Sequence, residues 1–461
     1  MTLLLKKNII ILTTVKGERI IFMRKKMLKA GFSRVDVTPP LGSYMAGYFR
    51  VRYAKGVIDP IYLNAIALSD GNETAVIITA DFEAVAENYA TSIRNKIAES
   101  VGIPADKIII QAIHQHTSIG IFDGELNTAV KNKAYMEVLY SKFCDVARMA
   151  LDDMSEATLG LAEKQALKQI SFIRRFLLKD GDVRANPKSE IAQKIGVVGP
   201  IGEPDNTVRL LRFKREGKND IALVNFSTHP DVIGGEMFCP DWPGYTRTFV
   251  EKDIEGVSCI LVNGFQGDTN HYDPEDRSKT GLEHSKYMAR VITDTVLQIW
   301  DKTEPCEDIK VNANVDFVYQ MTRTDGVEYC DECVEKLPKL LRGEIPKTAL
   351  DHVGGPGAAK RIAKMRTGPL FQKAAISVVS LGRIALVGLG GEPFTHYATA
   401  MREALPEKYI IAACCANGHA GYLPATTAFK EQGYEPRATP FRETIEEDCV
   451  NLAVKLIRSF E

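Results

Sequence analysis

The sequence predicts an α/β protein with a mixed central sheet, flanking helices and a metal site at strand ends. Apolar runs of strand length recur along the chain, at residues 75–80, 107–113, 221–226, 257–263, 375–381, 383–389 and 409–414. Several are continuous rather than alternating, which is typical of strands buried on both faces. Segments of helical periodicity lie between them, at residues 83–100, 134–151, 283–300, 395–404 and 445–459. This alternation of strands with helices indicates the α/β class.

The chain length favours one large catalytic domain. Its 461 residues exceed the roughly 250 to 300 at which single cores stop growing, so one elaborated domain or two closely packed lobes are expected over residues 30–461. Residues 1–29 are expected to be a disordered or mis-started extension, because Met23 and Met27 offer later starts. The glycine- and proline-containing stretches 179–206 and 343–368 are predicted to be irregular segments that shape a pocket.

Composition and charge exclude several classes of protein. A net charge of -1 with 25% charged residues argues against nucleic-acid binding. Apolar runs stay shorter than the roughly 18 to 20 residues of a transmembrane helix. Nine cysteines form no disulfide framework, which predicts a cytoplasmic location. Cys330 and Cys333 form one CxxC, which we interpret as a helix turn because zinc would need two further ligands.

Histidines and a glutamate follow three of the predicted strands. His114 and His116 come after strand 107–113, and they share one face if that strand continues to His116. His229 follows strand 221–226, and Glu392 follows strand 383–389. Two imidazoles and a carboxylate are a common catalytic zinc set that leaves room for water, whereas the alternative for Glu392 is helix initiation before Pro393.

Two further strand ends are expected to border the same crevice. The turn 264–270 follows strand 257–263, and the residues Asn417, His419 and Tyr422 follow strand 409–414. Glycine-rich turns permit close backbone approach, and their N–H groups can bind an anion or a developing oxyanion. Taken alone, either turn is more often structural than functional.

Seven short motifs in a fixed order carry a resemblance to a known family. They are AGFSRVDVTPPLG at 30–42, DP at 59–60, HQHTS at 114–118, VNFSTHP at 224–230, GFQGDTN at 264–270, GGEPFT at 390–395 and NGHAGYLPATTAFKEQGYE at 417–435. Together they cover nearly the whole chain after Lys29. The chain resembles the amino-terminal catalytic domain of the neutral/alkaline non-lysosomal ceramidases.

The resemblance implies specific roles for seven residues. The zinc-ligand positions of the family fall on His114, His229, Glu392 and Tyr422. The positions that contact the reacting carbonyl fall on His116 and Tyr434, and Arg174 is the candidate for a substrate-contacting arginine, with a solvated strand-end arginine as the alternative. These roles are expectations from the motifs.

Three departures from the family pattern limit how closely the substrate can be inferred from the resemblance. Asn270 stands where a serine is typical, Ile119 replaces part of a Gly-Pro turn, and the carboxyl-terminal immunoglobulin-like domain is expected to be absent. The resemblance implies a zinc-dependent amidohydrolase of lipid metabolism that cleaves a linear N-acyl amide, and the partner is a small-molecule or lipid-like N-acyl compound. A metal-dependent esterase, a phosphoester hydrolase and a zinc-retaining binding protein remain alternatives.

Overall fold

The computed structural model describes residues 2–6, 9–13, 19–23, 27–124, 127–187, 189–274, 276–366 and 368–461. Strands Thr2–Lys6, Ile9–Thr13 and Arg19–Met23 form a small antiparallel sheet. Met1 and residues 7–8, 14–18 and 24–26 of the expected extension lie outside the described residues. The assignment of 1–29 as an extension therefore stays a prediction.

A nine-stranded mixed sheet, here called the large sheet, forms the larger part of the fold. Its two end pairs are parallel and the inner pairs are antiparallel, which confirms the predicted mixed sheet. In spatial order its strands are Ile108–Ala112, Thr74–Ala80, Tyr62–Ser69, Lys29–Asp36, Ser155–Gln165, Thr207–Arg215, Asp220–Phe226 and Val257–Asn263, and Glu304–Cys306 pairs with Ser155–Gln165 off this path.

A four-stranded sheet, here called the small sheet, packs against the large one. Its strands in order are Val311–Met321, Phe371–Leu381, Ile384–Leu389 and Tyr409–Ala413, and the last pair is parallel. Apolar side chains of both sheets share one core, in which Ile109 and Ile260 of the large sheet join Val379 and Leu386 of the small sheet. These side chains are removed from water on both sides, as their continuous apolar runs predict.

Helices cover the outer faces of both sheets. Glu87–Val101 and Lys133–Asp152 pack on one part of the large sheet, Asp241–Asp253 and Gly281–Ile299 on another, and His396–Ala404 and Ile445–Arg458 on the small sheet. The remaining α-helices are Thr128–Lys131, Ser189–Ile195, Cys330–Leu341, Gly355–Met365, Ala428–Glu431 and Tyr434–Ala438. Within the described part of the chain, none of the helices is both long enough and apolar enough to cross a bilayer.

Short strand pairs shape the loops around the sheet edges. These are Tyr44–Met45 with Arg52–Tyr53, Gly56–Val57 with Met237–Phe238, Ala84–Val85 with Gly120–Ile121, Phe172–Ile173 with Thr269–Asn270, Glu392–Pro393 with Tyr422–Leu423, and Arg175–Leu178 with Val183–Ala185 and Val197–Pro200.

All the predicted strands and helices are present, with bounds that differ by a few residues. The prediction that 179–206 and 343–368 are irregular is wrong in part, because they contain the helices Ser189–Ile195 and Gly355–Met365. The sequence reading missed five long strands of the two sheets, namely Lys29–Asp36, Tyr62–Ser69, Ser155–Gln165, Thr207–Arg215 and Val311–Met321.

Two buried amide side chains join the strand ends that carry the candidate site. Gln111 Nε2 donates to the carbonyls of Asn263 and Cys414, at 2.6 and 2.9 Å. Asn263 Nδ2 donates to the carbonyl of Ile113 at 3.0 Å. Both end strands of the large sheet therefore meet the segment that follows the last strand of the small sheet, and the residues beyond these strands converge.

Candidate metal centre

His114 reaches the site through a left-handed backbone turn. The strand ends at Ala112, and His114 has φ 69°, so the conditional expectation that the strand continues to His116 is not met. The Nδ1 of His114 donates to the Glu83 carbonyl at 2.8 Å, and its Nε2 lies 3.3 Å from Glu392 Oε2. The carbonyl fixes the tautomer, so Nε2 is the nitrogen available to a metal.

His229 is held in the same manner. It follows the strand Asp220–Phe226, and its Nδ1 donates to the carbonyl of Gln266 at 3.1 Å. Its Nε2 lies 3.5 Å from Glu392 Oε2. Two buried imidazoles thus direct their Nε2 atoms at one carboxylate oxygen.

Glu392 is oriented by its short strand and by a close backbone approach. In the short parallel strand pair, Glu392 lies opposite Tyr422. A Cβ on Gly267 would come within 2.3 Å of the Glu392 carbonyl oxygen. Oε1 lies 3.1 Å from His419 Nε2, whereas the buried Oε2 has no hydrogen-bond partner. The following helix begins only at His396, so Glu392 does not initiate it and the helix-initiation alternative is wrong.

The pKa values of His114, Glu392 and His229 are shifted because these side chains lie buried and close together. Burial lowers the pKa of His114, but the Glu392 carboxylate outweighs it and raises that pKa to about 10. Burial raises the pKa of Glu392, but His114 outweighs it and holds the pKa well below its usual range. Burial, Arg174 and His114 hold the pKa of His229 well below its ordinary value.

The described residues offer two overlapping groups that could hold a metal ion. In each, the ligand atoms lie within 4.8 Å of one another: His114, His116 and His229 form the first group, and His114, Cys415 and His419 the second. The Cys415 Sγ lies 3.7 Å from His114 Nδ1, the nitrogen that already donates to Glu83. Within the first group, the Nε2 atoms of His114 and His229 also face Glu392 Oε2, so these two histidines with Glu392 fit a metal better.

Arg174, Tyr422 and Tyr434 line the site on its other side. The tyrosine rings lie 5.4 Å apart edge to face, and the Arg174 guanidinium carbon lies 5.2 Å from the centre of the Tyr422 ring. Arg174 Nε donates to Glu435 Oε1 at 2.8 Å, and the arginine side chain is only 9% exposed. The alternative of a solvated strand-end arginine is therefore wrong.

The pKa values of these three side chains are all raised. Burial raises the pKa of Tyr434, and the Glu392 carboxylate raises it further. Burial raises the pKa of Tyr422 well above its usual value although Arg174 opposes this. Burial lowers the pKa of Arg174, but Tyr422 and Glu435 outweigh it and the net pKa is raised. The Tyr434 phenol and the Arg174 guanidinium are therefore available as hydrogen-bond donors.

A loop from residue 46 to 52 packs against both His116 and Tyr434. The Tyr48 ring meets the His116 ring edge to face at 5.1 Å, and the Phe49 ring meets Tyr434 at 6.4 Å. Both ring nitrogens of His116 are buried without a hydrogen-bond partner. Burial, together with the nearby His114, lowers the pKa of His116 well below its ordinary value.

Three amides of the glycine turn after Val257–Asn263 are already paired with carbonyls. The N–H groups of Gly264, Gly267 and Thr269 donate to the carbonyls of Phe226, Pro393 and Gln266. The Asp268 carboxylate accepts from both the backbone N–H and the hydroxyl of Thr395, at 2.9 and 3.0 Å. These three amides are therefore not available to an anion.

All seven predicted site residues therefore lie around one centre. Sequence reasoning missed Asp231, Tyr48 and Glu435, which contact His116 or Arg174. The position of Asp231 two residues after His229 was an available signal, whereas Tyr48 comes from a distant loop that no local pattern connects to the histidines.

No family model and no curated protein sequence matches the chain. Solved structures do match: the neutral ceramidase from Pseudomonas aeruginosa has a TM-score of 0.73 and 14% identity, over 95% of this chain and 75% of that one. A ceramidase complexed with C2 has a TM-score of 0.69 and 14% identity, over 94% of this chain and 76% of that one.

Fold and site together define a mixed α/β protein with a histidine-rich candidate metal centre at its strand ends. Its fold is that of the neutral ceramidases, so the resemblance predicted from the motifs is confirmed at the level of the fold.

Proposed function

We propose that this chain is a zinc-dependent hydrolase that cleaves the amide bond of an N-acyl compound. The observation that carries the proposal is the buried Glu392 Oε2, which has no hydrogen-bond partner and faces the Nε2 atoms of His114 and His229 at 3.3 and 3.5 Å. A carboxylate oxygen that converges with two imidazole nitrogens is a common zinc-ligand arrangement, and imidazoles whose Nδ1 atoms donate to carbonyls are typical of metal ligands.

The donor set fits zinc. His114, His229 and Glu392 supply two nitrogens and one oxygen, and Tyr422 is the proposed fourth ligand because it pairs with Glu392 on the neighbouring short strand. Zinc in such a set would supply Lewis-acid activation of water and of the substrate carbonyl. The protein side chains account for the remaining steps.

His116 is proposed to move the protons. Its unpartnered ring accepts a proton from the attacking water and returns it to the leaving nitrogen, so that the C–N bond breaks as a carboxylic acid and an amine form. Tyr434, whose raised pKa keeps its hydroxyl protonated, donates to the oxygen of the tetrahedral intermediate. Arg174 is proposed to contact the substrate beside Tyr422.

An N-acyl, lipid-like substrate is proposed because both structural neighbours are ceramidases. The cytoplasmic location stays a prediction from the cysteines. The same metal-ligand set could also serve a carboxyl ester or a phosphoester, and a metal-retaining binding protein would keep the ligands without turnover. These three alternatives are separate outcomes of one experiment.

The test combines metal analysis with a substrate panel. Purified wild type, His229→Ala and the control His396→Ala would be assayed for bound zinc and for hydrolysis of ceramides, short N-acyl amides, carboxyl esters and phosphoesters. His396 is a suitable control because it is exposed and pairs with Glu446 at 2.6 Å, outside the site.

We expect about one zinc per chain and amide hydrolysis in the wild type and in His396→Ala, and the loss of both in His229→Ala. Cleavage confined to esters or phosphoesters would replace the proposed reaction class. Bound zinc without turnover of any substrate would favour a binding protein.

A further inference from the structure

Asp231 lies beside His116, the proposed proton carrier, and follows a residue whose carbonyl is hydrogen-bonded to the His116 backbone. The His116 N–H donates to the Pro230 carbonyl at 3.1 Å, which fixes the two segments to each other. Asp231 Oδ1 then lies 3.6 Å from His116 Nδ1. The same Oδ1 accepts a hydrogen bond from the Tyr48 hydroxyl.

The loop that carries Tyr48 encloses the imidazole from the other side. A Cβ on Gly47 would come within 2.7 Å of His116 Cγ, so only glycine permits this approach without displacement. Arg52 donates to the His116 carbonyl at 2.8 Å, and its guanidinium carbon lies 4.1 Å from the centre of the Tyr48 ring. Backbone, glycine and aromatic contacts thus fix both His116 and the Tyr48 hydroxyl that holds Asp231.

We propose that Asp231, held by Tyr48, is a positioning residue for His116. Its carboxylate accepts a hydrogen bond from His116 Nδ1–H, which leaves Nε2 as the nitrogen that exchanges protons with water and the leaving amine. The 3.6 Å separation is longer than a hydrogen bond, as is common for catalytic contacts before substrate binds, and it shortens in the substrate complex. The inference rests on the proposed proton-carrying role of His116.

A double-mutant cycle separates this role from a general structural one. Asp231→Ala is expected to lower kcat about 10- to 100-fold with little change in KM, and Asp231→Asn to restore part of the loss through its amide oxygen. In a His116→Ala background the same Asp231→Ala change should alter kcat less than about twofold. An equal loss in both backgrounds would show that Asp231 acts independently of His116 and would overturn the proposal.

Zinc content gives a readout besides turnover. Asp231→Ala should retain the metal, and its loss would make Asp231 a ligand or a support of the ligands instead. Asp220→Asn is the matched control, because Asp220 pairs with Arg212 at the opposite end of the strand that leads to His229. The control should retain both zinc and kcat.

The tautomer of His116 tests the contact even if no amide is cleaved. In ¹⁵N-histidine-labelled zinc-loaded protein, with the His116 signal assigned from His116→Ala, Nδ1 should carry the proton in the wild type and lose this preference in Asp231→Ala. An unchanged tautomer would overturn the proposal. Failure of amide turnover with the expected tautomer change would instead reject the proposed reaction while the positioning contact stands.

Discussion

Two neighbouring strands of the large sheet end in buried polar residues whose surroundings differ in how completely their hydrogen bonds are made. Asp81 follows Thr74–Ala80, and His114 follows the parallel strand Ile108–Ala112. Both Asp81 oxygens have partners, because Arg247 donates to them at 2.8 and 2.6 Å and the Tyr62 N–H donates at 2.9 Å. At the end of the neighbouring strand, His114 faces a carboxylate oxygen that lacks a hydrogen-bond partner.

A strand-end position alone does not determine whether a buried polar residue has a structural or a metal-binding role. A buried charge with all its hydrogen bonds made is part of the structure, whereas a buried carboxylate oxygen that faces two imidazole nitrogens is placed to bind a metal ion. Substitutions at the two positions should therefore affect different quantities: metal and turnover at the histidine cluster, and the free energy of unfolding at the Asp81–Arg247 pair.

The largest effect is expected for Glu392→Ala. Removing the shared carboxylate should abolish stoichiometric zinc binding and lower kcat/KM at least about 1,000-fold, because metal activation contributes several kcal/mol to transition-state stabilisation. The unfolding free energy of the metal-free variant should fall less than that of Asp81→Ala. Metal analysis, steady-state kinetics and urea unfolding measure the three quantities, and retention of one zinc per chain would reject Glu392 as a ligand.

Asp81→Ala should give the opposite pattern. It leaves the Arg247 guanidinium buried without its carboxylate, which typically costs about 3–5 kcal/mol of unfolding free energy. Urea unfolding would measure the loss. Replacing both partners, in Asp81→Leu with Arg247→Met, should recover part of it, and a loss below about 1 kcal/mol in the single variant would contradict the structural role.

Tyr434→Phe should lower kcat about 100-fold, on the order of 3 kcal/mol, while zinc content stays at the wild-type level. The reason is that only the donor to the developing oxyanion is removed. Tyr319→Phe is the control, because the Tyr319 side chain is well exposed on the small sheet. Loss of zinc in Tyr434→Phe would show that the hydroxyl belongs to the metal-ligand set.

Gly267→Ala should weaken zinc binding about 10-fold by displacing Glu392, since the added Cβ meets the Glu392 carbonyl oxygen at 2.3 Å. Competition with a chromogenic chelator measures the affinity. Gly199→Ala is the matched control, because its Cβ would meet nothing within 4 Å. Equal zinc affinity in both variants would show that the close approach of Gly267 does not position Glu392 for the metal.

The smallest effect is expected for Cys333→Ala, which should leave zinc content unchanged. Cys330 and Cys333 lie in the first turn of the helix Cys330–Leu341, among apolar neighbours that include Leu350 and Ile362. This placement agrees with the interpretation of the CxxC as a helix turn. Metal analysis of the variant would detect any contribution, and a measurable fall in zinc would contradict that interpretation.

Continuous apolar strands were predictable, whereas strands with charged or small residues were not. Thr207–Arg215 carries arginines at 209, 212 and 215, each of which pairs with an acidic residue in the folded state. Ser155–Gln165 is rich in residues that disfavour strands, and its pairing with Thr207–Arg215 overrides that preference. Strand formation at these positions depends on tertiary partners that a local pattern does not contain.

The histidines and Glu392 of the candidate site were predictable because strand ends bring them to one edge, whereas Tyr434 and Arg174 came from the family resemblance alone. The detailed geometry of the site was not predictable, because the left-handed turn at His114 and the carbonyl partners of the two histidines depend on distant segments. Likewise, the N–H groups of Gly264 and Gly267 donate to the carbonyls of Phe226 and Pro393 in distant segments. Hydrogen-bond partners, rather than residue types, determine which atoms remain available.

The central claim is that a metal binds between His114, His229 and Glu392 rather than at the overlapping group with Cys415. X-ray absorption spectroscopy of zinc-loaded wild type tests it most directly. The account predicts nitrogen and oxygen ligands only, at about 2.0–2.2 Å, with imidazole scattering from two histidines. A sulfur shell at about 2.3 Å would place the metal at Cys415 and contradict the account.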